Sequence, residues 1–113
     1  MSAGYQDLFL NQAETFTTDL TLNDSYGSAY NLTDFTVRSY AKKSYYSTNA
    51  TIIFDATVQD ANNGVIRLSA NSSTTANVSA GKLVYDVFIT QTSSNNVTKV
   101  LEGQIFVSPA VTK

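Results

Sequence analysis

The sequence predicts an all-β fold, a sandwich or barrel of roughly six or seven short antiparallel strands. Apolar and polar residues alternate with a period of two in one segment after another. Breaks rich in Asn, Asp, Ser and Gly separate these segments at intervals of about ten residues. Thr, Ser and Asn replace Lys and Glu as the main polar residues, and these side chains favour strands and turns over helices.

The alternation defines the expected strands. A weaker strand is expected at 5–10, and clear ones at 14–22, 34–42, 51–59, 64–70, 83–90 and 97–107. In each of them the apolar member of every pair is expected to face the core. In the last segment this inner set is Val97, Leu101, Ile105 and Val107. Gly103 lies in the middle of that segment and predicts a bulge or a close approach of another backbone.

Turn-forming residues separate the strands at 23–27, 60–64 and 92–96. Asn63 and Gly64 both tolerate a positive φ and predict a hairpin between two strands. The small, polar segment 71–81 predicts one helical turn, capped near Ser72 or Ser73 and stopped at Gly81. A connection of this length lets the chain cross from one sheet to the other, as a Greek key requires.

Composition argues against several function classes. The chain has 7 Lys and Arg against 9 Asp and Glu, a net charge of -2, so we expect no nucleic-acid footprint and no polybasic membrane patch. It has no Cys and no His, which removes the thiolate nucleophile and the commonest general base. Residues 1–7 lack the features of a secretory signal, so we expect synthesis in a reducing cytosol. We therefore expect no enzyme activity, no cofactor and no small-molecule substrate.

The sequence also allows two weaker chemical interpretations. Asp55 and Asp60 share a predicted strand and are the nearest approach to a glycosidase pair, but cross-strand ion pairs with Arg38 and Arg67 explain them better. Calcium is the most plausible metal, since oxygen ligands are abundant. Its candidate ligands form two clusters, and a role as turn formers is the stronger explanation for both. The clusters are Asn23, Asp24 and Asp34, and Asp60, Asn62 and Asn63.

The most unusual stretch is 39–49, which links two predicted strands and is rich in Tyr, Ser and Lys. Tyr gives a large contact area with few rotors to immobilise, so it is common in binding loops. The stretch predicts a hairpin tip that contacts a protein or a glycan, with the alternative that its rings lie back on the sandwich. The candidate contact residues are Tyr40, Lys42, Lys43, Tyr45 and Tyr46. Three apolar residues expected on outer faces, Ile53, Val84 and Phe88, indicate either partial cover by neighbouring strands or a docking surface.

The order of several motifs resembles a family of small virion structural proteins of tailed bacteriophages, including those that infect cyanobacteria. The resemblance runs nearly end to end, through 11–16, 32–33, 37–38, 64–69, 75–81, 85–87 and 101–112. Its most specific part is Tyr85-Asp86-Val87 followed by an ending of the form L-x-G-x-x-x-V-x-P-x-V-T. The match departs at Asn11-Gln12-Ala13, where a Gly is expected.

This resemblance implies an antiparallel immunoglobulin-like β-sandwich of about seven strands, in one domain over 1–113. It implies a non-enzymatic structural component of the phage particle, in the tail, baseplate, neck or capsid surface. The expected partners are other virion proteins, with self-association as a further possibility, and the expected location is the virion. The alternative function is an adhesion module that binds glycans of the host surface.

Overall fold

A computed structural model describes residues 4–23 and 27–112, which form two facing β-sheets and one short helix. The larger sheet holds six strands. These are β1 (Gly4–Tyr5), β2 (Leu8–Asn11), β4 (Phe35–Lys42), β5 (Ile52–Ile53), β8 (Gly81–Gln91) and β9 (Val97–Ser108). The smaller sheet holds β3 (Phe16–Thr21), β6 (Asp55–Asp60) and β7 (Val65–Ala70), and helix α1 covers Ser72–Ala76. The predicted turn at 23–27 includes residues 24–26, which lie outside the described part.

The strand order is that of an immunoglobulin-like sandwich. The larger sheet has the order β1-β9-β8-β4-β5, with β2 also on β9, and the smaller has the order β3-β7-β6. Strands β1 and β2 run parallel to β9, whereas the other pairs are antiparallel. Successive strands change sheet between β2 and β3, β3 and β4, β5 and β6, and β7 and β8. The last of these crossings contains α1, so the expected Greek-key crossing at this connection is confirmed.

The inner faces of both sheets form one apolar core. Nearly all of the strand residues in this core are those that the alternation predicts to face inward. Ile66, Leu68, Val87, Ile89 and Ile105 are fully buried. Val97 is the exception, since it is 51% exposed rather than buried. The β8–β9 register shifts between Val87 and Phe88, whose partners are Leu101 and Lys99. This bulge inserts one residue in β9 and reverses which residues face inward beyond it.

The predicted strand at 51–59 is divided between the two sheets. Ile52–Ile53 pairs with β4, whereas Asp55–Asp60 pairs with β7. Phe54 lies between them, buried against Phe16 with ring centroids 5.7 Å apart, and its N–H donates to the Ser39 carbonyl at 3.1 Å. The crossing keeps the alternation of inward and outward side chains, so the sequence pattern contains no sign of it.

The predicted helical turn is confirmed as α1, but its cap and its end differ from the prediction. The N-cap is Asn71, whose side-chain oxygen accepts from the Thr74 N–H at 2.9 Å, rather than Ser72 or Ser73. The helix ends at Asn77, and Gly81 instead begins β8 with a φ of 134°. The expected hairpin at Asn63-Gly64 connects β6 to β7 through a four-residue loop, in which Gly64 has a φ of 69°.

Gly103 marks a close backbone approach, and the bulge lies elsewhere. Gly103 stays in register opposite Tyr85, and a Cβ atom at this position would overlap the carbonyl of Gln6. The Tyr85 hydroxyl donates to that same carbonyl at 2.5 Å. Burial of the hydroxyl raises the pKa of Tyr85, so the phenol remains a donor at neutral pH. The segment between β1 and β2 is thus fixed against β8 and β9.

Gln12 fixes the turn between β2 and β3. Its side chain is buried; its Nε2 donates to the Val78 carbonyl at 2.6 Å, and its Oε1 accepts from the Ala110 N–H at 3.0 Å. The next residue, Ala13, has a φ of 63°, a conformation that favours Gly. This is the stretch where the motif comparison expects a Gly, so the departure lies at a left-handed turn position.

Candidate functional site

The outer faces of the two sheets differ in chemistry. The larger sheet exposes several large apolar side chains, among them Phe9 at 74%, Ile53 at 67% and Tyr5 at 62% exposure. The outward positions of the smaller sheet are polar apart from the half-buried Val65. The polar outward residues are Thr17, Asp19, Thr21, Asp55, Thr57, Gln59, Arg67 and Ser69. Because exposed apolar surface concentrated on one face is typical of an interaction site, the larger sheet carries the candidate site.

Strand register places five outward residues side by side across the larger sheet. Tyr5 lies opposite Glu102, Glu102 opposite Asp86, Asp86 opposite Tyr40, and Tyr40 opposite Ile53. We call these five residues the central row. It has apolar or aromatic ends and an acidic centre. Two further rings, Phe9 and Phe106, stack with centroids 5.5 Å apart on the same face.

A groove of about 330 Å³ opens beside the central row. Its floor is formed by Val84, Asp86 and Phe88 on β8, and its wall by outward residues of β4. Tyr45, from the loop after β4, lines the groove as well. The outward residues of β4 that contribute are Arg38, Tyr40 and Lys42. We call this the outer-face groove.

Asp86 is the acidic residue among those that line this groove. Burial raises the pKa of its carboxyl group, an effect that nearby Lys99 and Lys42 oppose. Lys99 is held by Glu102, with a 2.8 Å Nζ to Oε2 distance. Within 4–23 and 27–112, no ion pair within salt-bridge distance reaches the Asp86 carboxylate. The Arg38 guanidinium lies 5.7 Å from the centre of the Phe88 ring, a cation–π arrangement.

The structure gathers three of the five candidate contact residues and separates two. Tyr40, Lys42 and Tyr45 line the outer-face groove. Lys43 instead borders a shallow depression beside 47–51, and Tyr46 is 95% exposed at the loop tip. The rings therefore do not all lie back on the sandwich.

Neither Arg38 nor Asp86 is among the residues that the sequence predicts for the contact site. The sequence does predict that Val84 and Phe88 lie on an outer face, and both residues form the floor of the groove. Arg38, Lys42, Val84, Asp86 and Phe88 are outward positions of two strands that pair along their length. The signal that could have identified them is the outward half of each alternation, read across neighbouring strands rather than along one.

The expected ion pairs of the weak glycosidase candidates are wrong. Arg67 pairs with Asp19, at 2.8 and 3.2 Å, because β3 rather than β6 places a carboxylate opposite it. Arg38 lies on the larger sheet, whereas Asp55 and Asp60 lie on the smaller one. The Asp60 carboxylate accepts from the Asn63 side chain at 2.8 Å, which is a turn-forming role.

The candidate calcium ligands Asp34 and Asp60 make hydrogen bonds within loops and turns. The Asp34 carboxylate accepts from the Thr92 hydroxyl, and hydrogen bonds from Thr92 and Ser93 lower the pKa of Asp34. Asp24 lies outside the described residues. In the described ranges, no three acidic side chains are grouped to hold a metal ion. No helix in that part of the chain is long and apolar enough to cross a membrane.

No protein-family model matches the chain, and the search of curated proteins finds no match. Among solved structures, the chain is similar to the crystal structure of the Lin-41 filamin domain. The two share 15% sequence identity with a TM-score of 0.40, and the match covers 88% of this chain and 82% of that one.

Proposed function

We propose that the protein is a non-enzymatic structural component of a tailed-phage particle and that it docks on neighbouring virion proteins. The docking surface is the outer face of the larger sheet. The observation that carries this proposal is the concentration of exposed apolar side chains on that face and on the loop beside it. The particle assignment is supported by the order of sequence motifs and stays a proposal.

The outer face is large enough for a specific contact. Strand β8 has 11 residues, so it is about 36 Å long at a rise of about 3.3 Å per residue. Four to five strands placed about 4.8 Å apart give a width of about 20 Å and an area of about 700 Å². A standard protein interface buries about 800 Å² on each partner.

The chemistry of the face suits a protein partner. Rings of Tyr and Phe are enriched at the centres of interfaces, where they bury area at a small entropic cost. Asp86, Glu102 and Lys99 add charges at the centre, and such charges discriminate between partners more than they add affinity. The polar outer face of the smaller sheet offers no comparable surface.

Mass spectrometry of purified phage particles tests the particle assignment, and absence of this polypeptide from them rejects it. The docking face is tested separately by two matched variants. Ile53→Lys places a charge on the outer face of the larger sheet, and Thr57→Lys places the same charge on that of the smaller sheet. We expect Ile53→Lys to reduce incorporation into particles and Thr57→Lys to leave it unchanged. Equal incorporation of both variants rejects this face as the docking surface.

A second candidate function, adhesion to host glycans, is favoured by the outer-face groove. Its aromatic walls and its mixture of one carboxylate with two cations suit the faces and hydroxyl groups of a sugar ring. A glycan array probed with the wild type and with Asp86→Asn tests it. Adhesion predicts glycan signals that the substitution weakens, whereas an array without signal rejects this candidate.

A further inference from the structure

Strand β3 has an open edge within the described part of the chain. It pairs with β7 on one side and with no described strand on the other. The Leu22 N–H donates to the Gly64 carbonyl at 2.8 Å. In an antiparallel pair, hydrogen-bonded residues alternate with residues whose backbone groups point away, so this bond shows which residues of β3 bond to β7. The backbone groups of Phe16, Thr18 and Leu20 therefore point to β7. Those of Thr17, Asp19 and Thr21 point outward, where an added strand would bind.

This edge lacks the features that protect the other edges. Strand β5 has two residues, and β6 is bulged between Val58 and Asp60. The edge formed by β1 and β2 is interrupted at Gln6 and Asp7. Strand β3 instead pairs through six residues in unbroken register, and it contains no Pro and no Lys. Natural sheets generally block such an edge unless it receives a strand.

A groove of about 390 Å³ lies beside this edge, between β2 and β3. Phe9 and Phe16 contribute apolar surface to it, and Phe16 is only half-buried although it faces inward. An added strand would lay every second side chain against this surface while its backbone bonds to β3. Affinity would then come from main-chain bonds, and specificity from alternate side chains.

The charges around the groove identify the chemistry of the added strand. Asp7 and Glu14 line the groove, and no Lys or Arg is among its lining residues. Asp19 lies on the outward face of β3, where it is paired with Arg67, so it adds no free charge to the groove. A basic strand therefore complements the groove, whereas an acidic strand is repelled.

We propose that the edge of β3 receives an extended, lysine- or arginine-bearing segment of another protein chain, which adds to the smaller sheet as a fourth strand. The side chains of this segment that point inward are the basic ones. Their aliphatic stems lie against Phe16, and their charged ends face Asp7 and Glu14 in the groove between β2 and β3. This contact uses the edge of the smaller sheet and shares Phe9 with the docking face of the larger one. It requires no particular identity of the whole particle, so it stands if the virion assignment fails.

The experiment uses the full chain labelled with ¹⁵N and two capped octapeptides. One alternates Lys with Val, and the other alternates Glu with Val. We expect the basic peptide, titrated to about 1 mM, to protect the amides of Thr17, Asp19 and Thr21 from hydrogen exchange. We expect the acidic peptide to leave them unprotected. Protection confined to other amides, equal protection by both peptides, or no protection at all overturns the proposal.

Two variants separate strand addition from other binding. Thr17→Pro removes an outward N–H and spares the β3–β7 ladder, since Pro is tolerated at edge positions that face solvent. We expect it to keep the fold and to abolish the protection. Glu14→Lys keeps the edge and reverses one charge, and we expect about three- to fivefold weaker binding of the basic peptide. Unchanged binding by a folded Thr17→Pro variant overturns strand addition.

Discussion

Replacing Gly103 by Ala tests the attachment of the N-terminal strands most directly. The added methyl group would overlap the carbonyl of Gln6 and would lie 3.1 Å from the Tyr85 ring. The main obstacle is backbone, so the segment that joins β1 to β2 has to move. This movement would weaken or break two hydrogen bonds. One runs from the Tyr85 hydroxyl to the Gln6 carbonyl, and the other from the Gln6 N–H to the Glu102 carbonyl at 2.9 Å.

The expected cost follows from these two effects. Overpacking costs about 1–3 kcal/mol, and leaving the Tyr85 hydroxyl without an acceptor costs about 1–3 kcal/mol more. We therefore expect Gly103→Ala to lower the free energy of unfolding by about 2–6 kcal/mol in urea denaturation. Tyr85→Phe, which removes one hydrogen bond without overlap, is expected to cost about 1 kcal/mol.

A second control separates steric overlap from the general effect of a Gly substitution. At Gly4 an added Cβ would meet the tip of the Leu101 side chain at 3.3 Å, and this tip is able to move. We expect Gly4→Ala to change stability by less than about 1 kcal/mol. A cost below about 1 kcal/mol for Gly103→Ala, or equal costs at both glycines, would refute the steric explanation.

Three further substitutions test particular contacts. Gln12→Ala removes two buried hydrogen bonds and should lower the free energy of unfolding in urea by about 2–4 kcal/mol. Ala13→Gly relieves a positive φ and should raise it by about 0.5–1 kcal/mol, whereas a loss contradicts the strain at this turn. Burial raises the pKa of Asp86, so the folded state holds the carboxyl proton more tightly than the unfolded state does. As the pH rises from 3.8 through the folded pKa, ionisation of this carboxyl group lowers the free energy of unfolding. Asp86→Asn should therefore raise the melting temperature at neutral pH and leave it unchanged below about pH 3.8.

The alternation of residues was enough to predict most of the fold. Inward residues such as Ile66 and Ile89 repeat every second position, and a misregistered strand would expose them to water. The change of sheet at Phe54 was not predictable, because the chain turns without disturbing the alternation. At Gly103 the sequence left two alternatives, a bulge or a close approach, and the structure shows the close approach. The bulge of β9 lies opposite Val87 and Phe88, where no Gly marks it.

Less of the candidate site was predictable, because it depends on which strands become neighbours. The sequence identified Tyr40, Lys42 and Tyr45 by composition, within one stretch of chain. Arg38 and Asp86 became part of the same groove only through the pairing of β4 with β8. A single sequence shows which residues point outward, whereas the relative position of two outward sets requires the register between strands.

The two proposed contacts use different parts of the sandwich, and this leads to a quantitative expectation. Ile53 lies on the outer face of the larger sheet, whereas Thr17 lies on the edge of the smaller one. Since distant sites contribute additively to free energy, their effects on binding should multiply. We expect the double variant with Ile53→Lys and Thr17→Pro to show a loss of incorporation equal to the product of the two single losses. The measurement is competition between tagged wild-type and variant chains during particle assembly. If each single variant reduces incorporation, a double variant no worse than the poorer single variant would show that both positions belong to one contact.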